Sequence, residues 1–206
     1  MQDDVQRTVI SISIFGETAV GKTCICSTFL GLEFREEHLT TVGIEKMISS
    51  ITTKSGEEIK LKLWDTAGQE RFKSVSVKNL RYSQAAVVVF DLTVKESFLR
   101  VTDWLKEIRD FSDKLPIGLF GNKSDIAVGE NRKVTQEEID NLCQQENLVY
   151  FETSAKQNKG IKEGFTKIGS MAFKKFGKVK GKGQKLTVKK RRLKVVRFNN
   201  LMILVY

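Results

Sequence analysis

The sequence predicts a doubly wound α/β domain built on a mostly parallel six-stranded sheet, and three observations predict it. Strand-like apolar runs alternate with segments of helical periodicity along most of the chain. Some of these runs are apolar almost throughout, as in Ala-Ala-Val-Val-Val-Phe from Ala85, which suits central strands covered on both faces. One pair of runs is joined only by Lys54-Ser55-Gly56-Glu57, a hairpin turn, so one strand pair is antiparallel within the parallel sheet.

The first strand is expected at Thr8–Phe15, where Val9, Ile10, Ile12 and Ile14 alternate with Ser11 and Ser13. A helix follows a glycine-rich turn at Gly21–Leu30. Strands at Glu45–Thr53 and Ile59–Asp65 form the hairpin, and Ala85–Leu92 is the next strand. Glu96–Phe111 reads as a helix because Phe98, Val101, Leu105 and Ile108 recur at helical spacing. A strand at Ile117–Asn122 precedes a helix at Thr135–Glu146, which opens Thr-Gln-Glu-Glu, a capping-box pattern of Thr135 with Glu138. Leu148–Thr153 is the last strand. Gly160–Phe176 is the last helix, with Phe165, Ile168 and Ala172 on one face. These apolar stripes are core. The order βαββαβαβαβα puts ligands at the carboxyl ends of the strands.

At 206 residues, 40% hydrophobic and 29% charged, the chain has a globular composition sufficient for one domain. Cys24, Cys26 and Cys143 make no disulfide framework, as in a reducing compartment. Cys24 and Cys26 could be read as a metal pair, but no second ligand pair follows, and small buried side chains on a helix are the simpler reading. No signal-peptide core is read near the start, and no run reaches the roughly 20 apolar residues of a membrane-spanning helix. A cytoplasmic location is expected. The net charge of +10 is unevenly placed. Met1 to Ala172 holds 23 Lys and Arg against 25 Asp and Glu, while Phe173 to Tyr206 holds 12 basic residues and no acid. The division expected is a domain over 1–173 and a disordered basic tail over 174–206.

Three motifs carry chemistry. Gly16-Glu-Thr-Ala-Val-Gly21-Lys22-Thr23 follows a strand and opens a helix, the setting of a phosphate-binding loop. Its glycines let backbone amides turn toward phosphate oxygens, and the helix N-terminus adds a favourable dipole. Lys22 supplies a charge to the β- and γ-phosphates, and the Thr23 hydroxyl can ligate Mg²⁺. Trp64-Asp65-Thr66-Ala67-Gly68-Gln69-Glu70 ends an apolar strand. There Asp65 can hold the metal through its waters, Gly68 lets an amide approach the γ-phosphate, and Gln69 can orient an attacking water. Gly121-Asn122-Lys123-Ser124-Asp125 ends another strand. The Asp125 carboxylate can accept two hydrogens, from N1 and the 2-amino group of guanine, a donor pair that adenine lacks, so this motif selects GTP over ATP. Thr153-Ser154-Ala155-Lys156 is placed to close over the base.

In this order the motifs resemble those of the small GTPases of the Ras superfamily, over about Thr8 to Lys175. Lys60-Leu-Lys-Leu-Trp-Asp-Thr-Ala-Gly-Gln-Glu-Arg-Phe72 looks like the Rab branch in particular. The resemblance implies a P-loop NTPase G domain that binds GTP or GDP with Mg²⁺ and acts in vesicle trafficking. It implies nucleotide contacts from Gly16, Ala19, Val20, Gly21, Lys22, Thr23 and Cys24, and from Phe34, Thr41, Asp65 and Gly68. Asn122, Lys123, Asp125, Ser154, Ala155 and Lys156 complete that set. Metal ligation falls to Thr23, Thr41 and Asp65, and catalysis to Gln69. Phe34 is the aromatic that packs edge-on to guanine, and Thr41 the first-switch threonine that meets Mg²⁺ and γ-phosphate only in the GTP state. His38, in the same loop, is given no role. Exchange factor, activating protein and effectors are the partners implied.

Some positions depart from the Rab pattern. A Phe usual after the first switch is replaced in Val42-Gly43-Ile44-Glu45-Lys46, and Tyr-Tyr-Arg-Gly is replaced by Asn79-Leu80-Arg81-Tyr82. Of the aromatic patch read by effectors only Trp64 survives. Rab proteins usually finish in prenylated cysteines, whereas the last cysteine here is Cys143. The tail reads as a basic extension or a misread gene end, as a weak contact with anionic endomembranes, or as a nuclear or nucleic-acid signal; nucleic acid is disfavoured by the near-neutral body. Two rivals to a hydrolysing switch are a nucleotide-binding module without turnover, which Gln69 opposes, and a tail-driven nucleic-acid binder.

Overall fold

The computed structural model describes residues 8–34, 44–66, 80–177, 194–198 and 201–205. Six strands form one sheet: β1 (Val9–Phe15), β2 (Ile44–Thr52), β3 (Glu58–Thr66), β4 (Ala85–Asp91), β5 (Ile117–Asn122) and β6 (Val149–Glu152). Their order is β2-β3-β1-β4-β5-β6. Within this sheet only β2 and β3 pair antiparallel; β1 pairs parallel with both β3 and β4. The chain therefore winds away from β1 in two directions, and the loop after β1 lies at the crevice where the winding reverses.

Helices α1 (Lys22–Phe29) and α5 (Ile161–Phe176) cover one face of the sheet. Ile10, Ile12 and Ile14 of β1 pack there with Ile25, Phe165 and Ile168. The other face is covered by α2 (Lys95–Leu99), α3 (Val101–Phe111) and α4 (Gln136–Glu146), with Phe15, Val88, Phe90, Trp104, Leu105 and Ile139 in the shared core. The alternation of Ile and Ser in β1 does not mark a solvent face. Ser11 and Ser13 are buried, because α2–α4 roof that side too. Their polar groups are met locally: Ser13 Oγ lies 2.7 Å from Ser83 Oγ, and the Ser11 amide donates to Gln84 Oε1.

The helix expected over Glu96–Phe111 is two helices. Thr102 Oγ1 donates to the Leu99 carbonyl at 3.0 Å, an oxygen that the helical ladder would otherwise use, and the chain steps at Arg100. Thr135 is the N-cap of α4, and both halves of its capping box with Glu138 are formed. Helix α5 runs through Phe176, so the expected boundary at 173/174 falls inside its last turn. Within the tail expected to be disordered, β7 (Lys194–Phe198) and β8 (Leu201–Val205) are described as an antiparallel pair in which Phe198 faces Leu201.

Candidate nucleotide-binding site

The loop from Gly16 to Gly21 leaves the carboxyl end of β1 with a backbone that few sequences permit. Gly16 has φ +135°, and a Cβ there would stand 2.2 Å from the Val89 carbonyl oxygen. Gly21 has φ +94°, and a Cβ there would stand 2.4 Å from Asn122 Nδ2. Glycine is required at both by conformation and by space together. Ala19 also takes a positive φ, of 63°. Helix α1 then begins at Lys22 with no side chain capping its first amides and no acid in its first turn. Its N-terminal N–H groups and dipole point toward the loop.

Lys22 is buried and folds its ammonium back onto the loop, donating to Gly16 O at 3.0 Å and Glu17 O at 2.7 Å. These bonds use two of its three protons. Burial pushes its pKa down to about 8, although Asp65 and Glu17 pull it upward. A polyanion beside it would raise that pKa again and favour the ammonium. Next to it, Thr23 Oγ1 donates to Asp65 Oδ2 at 2.6 Å, which joins the start of α1 to the end of β3. A hydroxyl and a carboxylate are hard oxygen donors suited to Mg²⁺, and Asp65 is fully buried. No group of three His, Cys, Asp or Glu converges among the described residues. The donor set therefore fits an ion that takes its remaining ligands from phosphate and water, as Mg²⁺ does. Cys24 follows on α1, and burial raises its thiol pKa above the usual value, which disfavours the thiolate.

The base-side motif leaves β5 beside this loop. Asn122 is 2% exposed and spans three segments. Its Nδ2 donates to the Val20 carbonyl at 2.9 Å, and its Oδ1 accepts from the Ala155 amide at 3.3 Å and from Thr153 Oγ1 at 3.4 Å. Asn122 thus braces the loop at Val20 against the loop at Ala155. Lys123 takes φ +64° and pairs with Asp91 at 2.7 Å. Asp91 is 3% exposed and also accepts from the Thr93 amide and hydroxyl. Sequence reasoning missed Asp91; a carboxylate ending the apolar strand β4 was the available signal. Ser154 Oγ donates to one oxygen of Asp125 at 2.7 Å and fixes that carboxylate. Thr28 of α1 donates to the Ala155 carbonyl, so the fourth loop is tied to α1 as well. Lys156 is exposed beyond it, and Phe34 packs against the core. Thr41, Gly68 and Gln69 lie outside the described residues, as do His38 and Asn79.

The departure at Lys46 has a clear consequence. Lys46 stands opposite Trp64 in the β2–β3 ladder, and Lys62 Nζ lies 4.0 Å from the Trp64 ring centroid. Ile48, opposite Lys62, is 51% exposed. Trp64 stands without the aromatic neighbours usual in Rab proteins, as the sequence implied, and Lys46 and Lys62 flank its indole instead.

A family model described as the Ras family matches residues 11–174. The chain is 39% identical to the GTP-binding protein YPT53 of Saccharomyces cerevisiae, over 78% of this chain and 74% of that protein. It is 36% identical to the Ras-related protein Rab-4 of Dictyostelium discoideum, over 77% of each. Identity to the human Ras-related protein Rab-30 is also 36%, over 76% of each.

Proposed function

The chain belongs to the Ras family, alongside its Rab- and Ypt-named members, and from that premise we infer a small GTPase switch for vesicle trafficking that binds GTP and GDP with Mg²⁺ and hydrolyses GTP. The observation that supports this best is the brace at Asn122, which joins the phosphate loop at Val20 to the base-side loop at Ala155. One ligand with a polyphosphate at one end and a base at the other fits that frame.

The residues divide the work. Lys22 and the first amides of α1 bind and orient the β- and γ-phosphates. Thr23 and Asp65 are the residues that would hold Mg²⁺, whose charge offsets that of the phosphoryl oxygens. Asp125, held by Ser154, accepts the N1 and 2-amino hydrogens of guanine. By resemblance, Thr41 and Gly68 meet the γ-phosphate and are released on hydrolysis, and Gln69 orients the attacking water. Single-turnover hydrolysis by Gln69→Leu tests this: GTP affinity stays near parental while the rate falls at least tenfold, an order of magnitude expected for losing a positioning group. Equal rates would remove Gln69 from catalysis.

Regulators and effectors are the partner classes of such a switch. No helix of the described residues is long and apolar enough to cross a membrane. The basic tail supports a weak, reversible contact with anionic endomembranes, since each Lys or Arg near such a surface contributes about 1 kcal/mol. Co-sedimentation with anionic and neutral vesicles across a salt series, with and without residues 178–206, measures it. Salt-sensitive binding to anionic vesicles that vanishes on truncation is expected. Equal binding to neutral vesicles would sink the electrostatic contact.

A further inference from the structure

We infer that Trp104 is a positioning residue for the phosphate loop and acts through Glu17, an inference that rests on the nucleotide-site reading above. Trp104 sits in α3 with its indole 2% exposed, and a buried indole N–H needs an acceptor. That acceptor is Glu17 Oε1, 3.0 Å away, on the second residue of the loop. The main-chain carbonyl of the same Glu17 accepts from Lys22 Nζ at 2.7 Å. Glu17 is therefore gripped at both ends, its carboxylate by a core helix and its carbonyl by the lysine that faces the phosphates.

The grip spans the turn at Gly16. Phe15, the last residue of β1, packs against Trp104 with ring centroids 5.8 Å apart. The indole thus contacts the residues on either side of Gly16. Gly16 takes φ +135° and its carbonyl accepts from Lys22 Nζ at 3.0 Å, so the indole and the lysine hold the turn from its two sides. Arg100, one turn before Trp104, adds a cation whose charge Glu17 favours, although its direct partners are Glu96 and Asp103. Trp104 reports to the rigid core shared by α3, β4 and β5, so the aim of the loop is set by the face of the sheet opposite α1. With the indole N–H removed, Glu17 is free to turn outward, the seat of Lys22 loosens and bound nucleotide leaves faster. Recognition of the base, made on the loops after β5 and β6 at Asp125 and Ser154, is unaffected by this route.

The test uses the full chain loaded with fluorescent-labelled GDP and chased with unlabelled GDP. Trp104→Phe and Glu17→Ala are each expected to release about tenfold faster, as for loss of a hydrogen bond to a charged group. The double variant should be no faster than either single one, because the second change removes a partner from a bond already broken. Glu17→Gln keeps an acceptor oxygen and should release near the parental rate. Thermal melts of the loaded proteins track folding, and Glu17→Ala carries the test should Trp104→Phe fold poorly, since Glu17 is only partly buried. Parental release by Glu17→Ala, release by Glu17→Gln as fast as by Glu17→Ala, or effects that multiply in the double variant would each overturn the positioning role. Failure of the parent itself to retain labelled GDP would instead remove the nucleotide reading beneath it.

Discussion

On the base side of the site, Asn122, Lys123 and Asp125 are each tied by side chains to a neighbouring strand or loop, whereas on the phosphate side the turn itself is shaped by backbone conformation and rests its lysine on two of its own carbonyls, with side-chain ties from Glu17 to Trp104 and from Thr23 to Asp65. The difference follows from what each side has to recognise. A base edge is a neutral, directional pattern of donors and acceptors, and discrimination needs a carboxylate that cannot swing. A phosphate group is a diffuse charge with several equivalent oxygens, and a ring of amides with one ammonium meets it in many orientations. Asn122 belongs to both sides, since its amide nitrogen holds the phosphate loop and its oxygen holds the base-side loop.

Asp125→Asn should sharpen the comparison most. The amide places a donor against guanine's own donors, while xanthine offers an acceptor there. GTP affinity should fall and xanthosine triphosphate should gain, with a net discrimination change of about 3 kcal/mol, roughly a hundredfold. Competition between the two nucleotides measures it, and an unchanged preference for GTP would take Asp125 out of the base site. Asn122→Ala should break the comparison by loosening both sides at once. It leaves the buried Val20 carbonyl and Ala155 amide without their partner, a cost of about 2 kcal/mol in affinity for GTP and xanthosine triphosphate alike. A loss confined to one base in equilibrium titrations would mean that Asn122 serves the base alone.

The smallest effect lies away from both sides and acts as a control. Glu138 caps α4 through Thr135 and pairs with Lys95 of α2. The Lys95 ammonium and then the Thr135 amide hold its carboxyl below the usual value of 4.5. A carboxyl with a depressed folded pKa stabilises the fold above its unfolded pKa and loses that contribution as pH falls through the folded value. Glu138→Gln should therefore melt slightly below the parent at neutral pH and converge with it below about pH 4. Nucleotide affinity should not change. A melting difference that persists in acid would assign the effect to packing instead of charge.

Much of the chemistry was legible because it is local. The glycines of the phosphate loop, Lys22 and Thr23 stand within eight consecutive residues, and the Thr135–Glu138 capping box spans one helical turn. The role expected of Asp125 was read the same way and that of Lys123 through the resemblance, but what orients their side chains was not. Asp91 lies 32 positions before Lys123, and Ser154 lies 29 positions after Asp125. The serines of β1 show the same limit from the core side. Alternation is a correct sign of a strand, but it does not say whether a second layer of helices covers the polar face.

The sequence by itself determined the order of strands and helices, the antiparallel hairpin and the motifs that name the ligand, because periodicity, turn residues and caps act over a few residues. Only the tertiary structure decided which loops meet, that Asn122 bridges the two sides of the site across 102 positions, and that Trp104 reaches Glu17 across 87. Such contacts have no local signature. They exist because β1 lies at the centre of the sheet, so the loop that leaves it is flanked by the ends of β3, β4 and β5, and by a helix from each face.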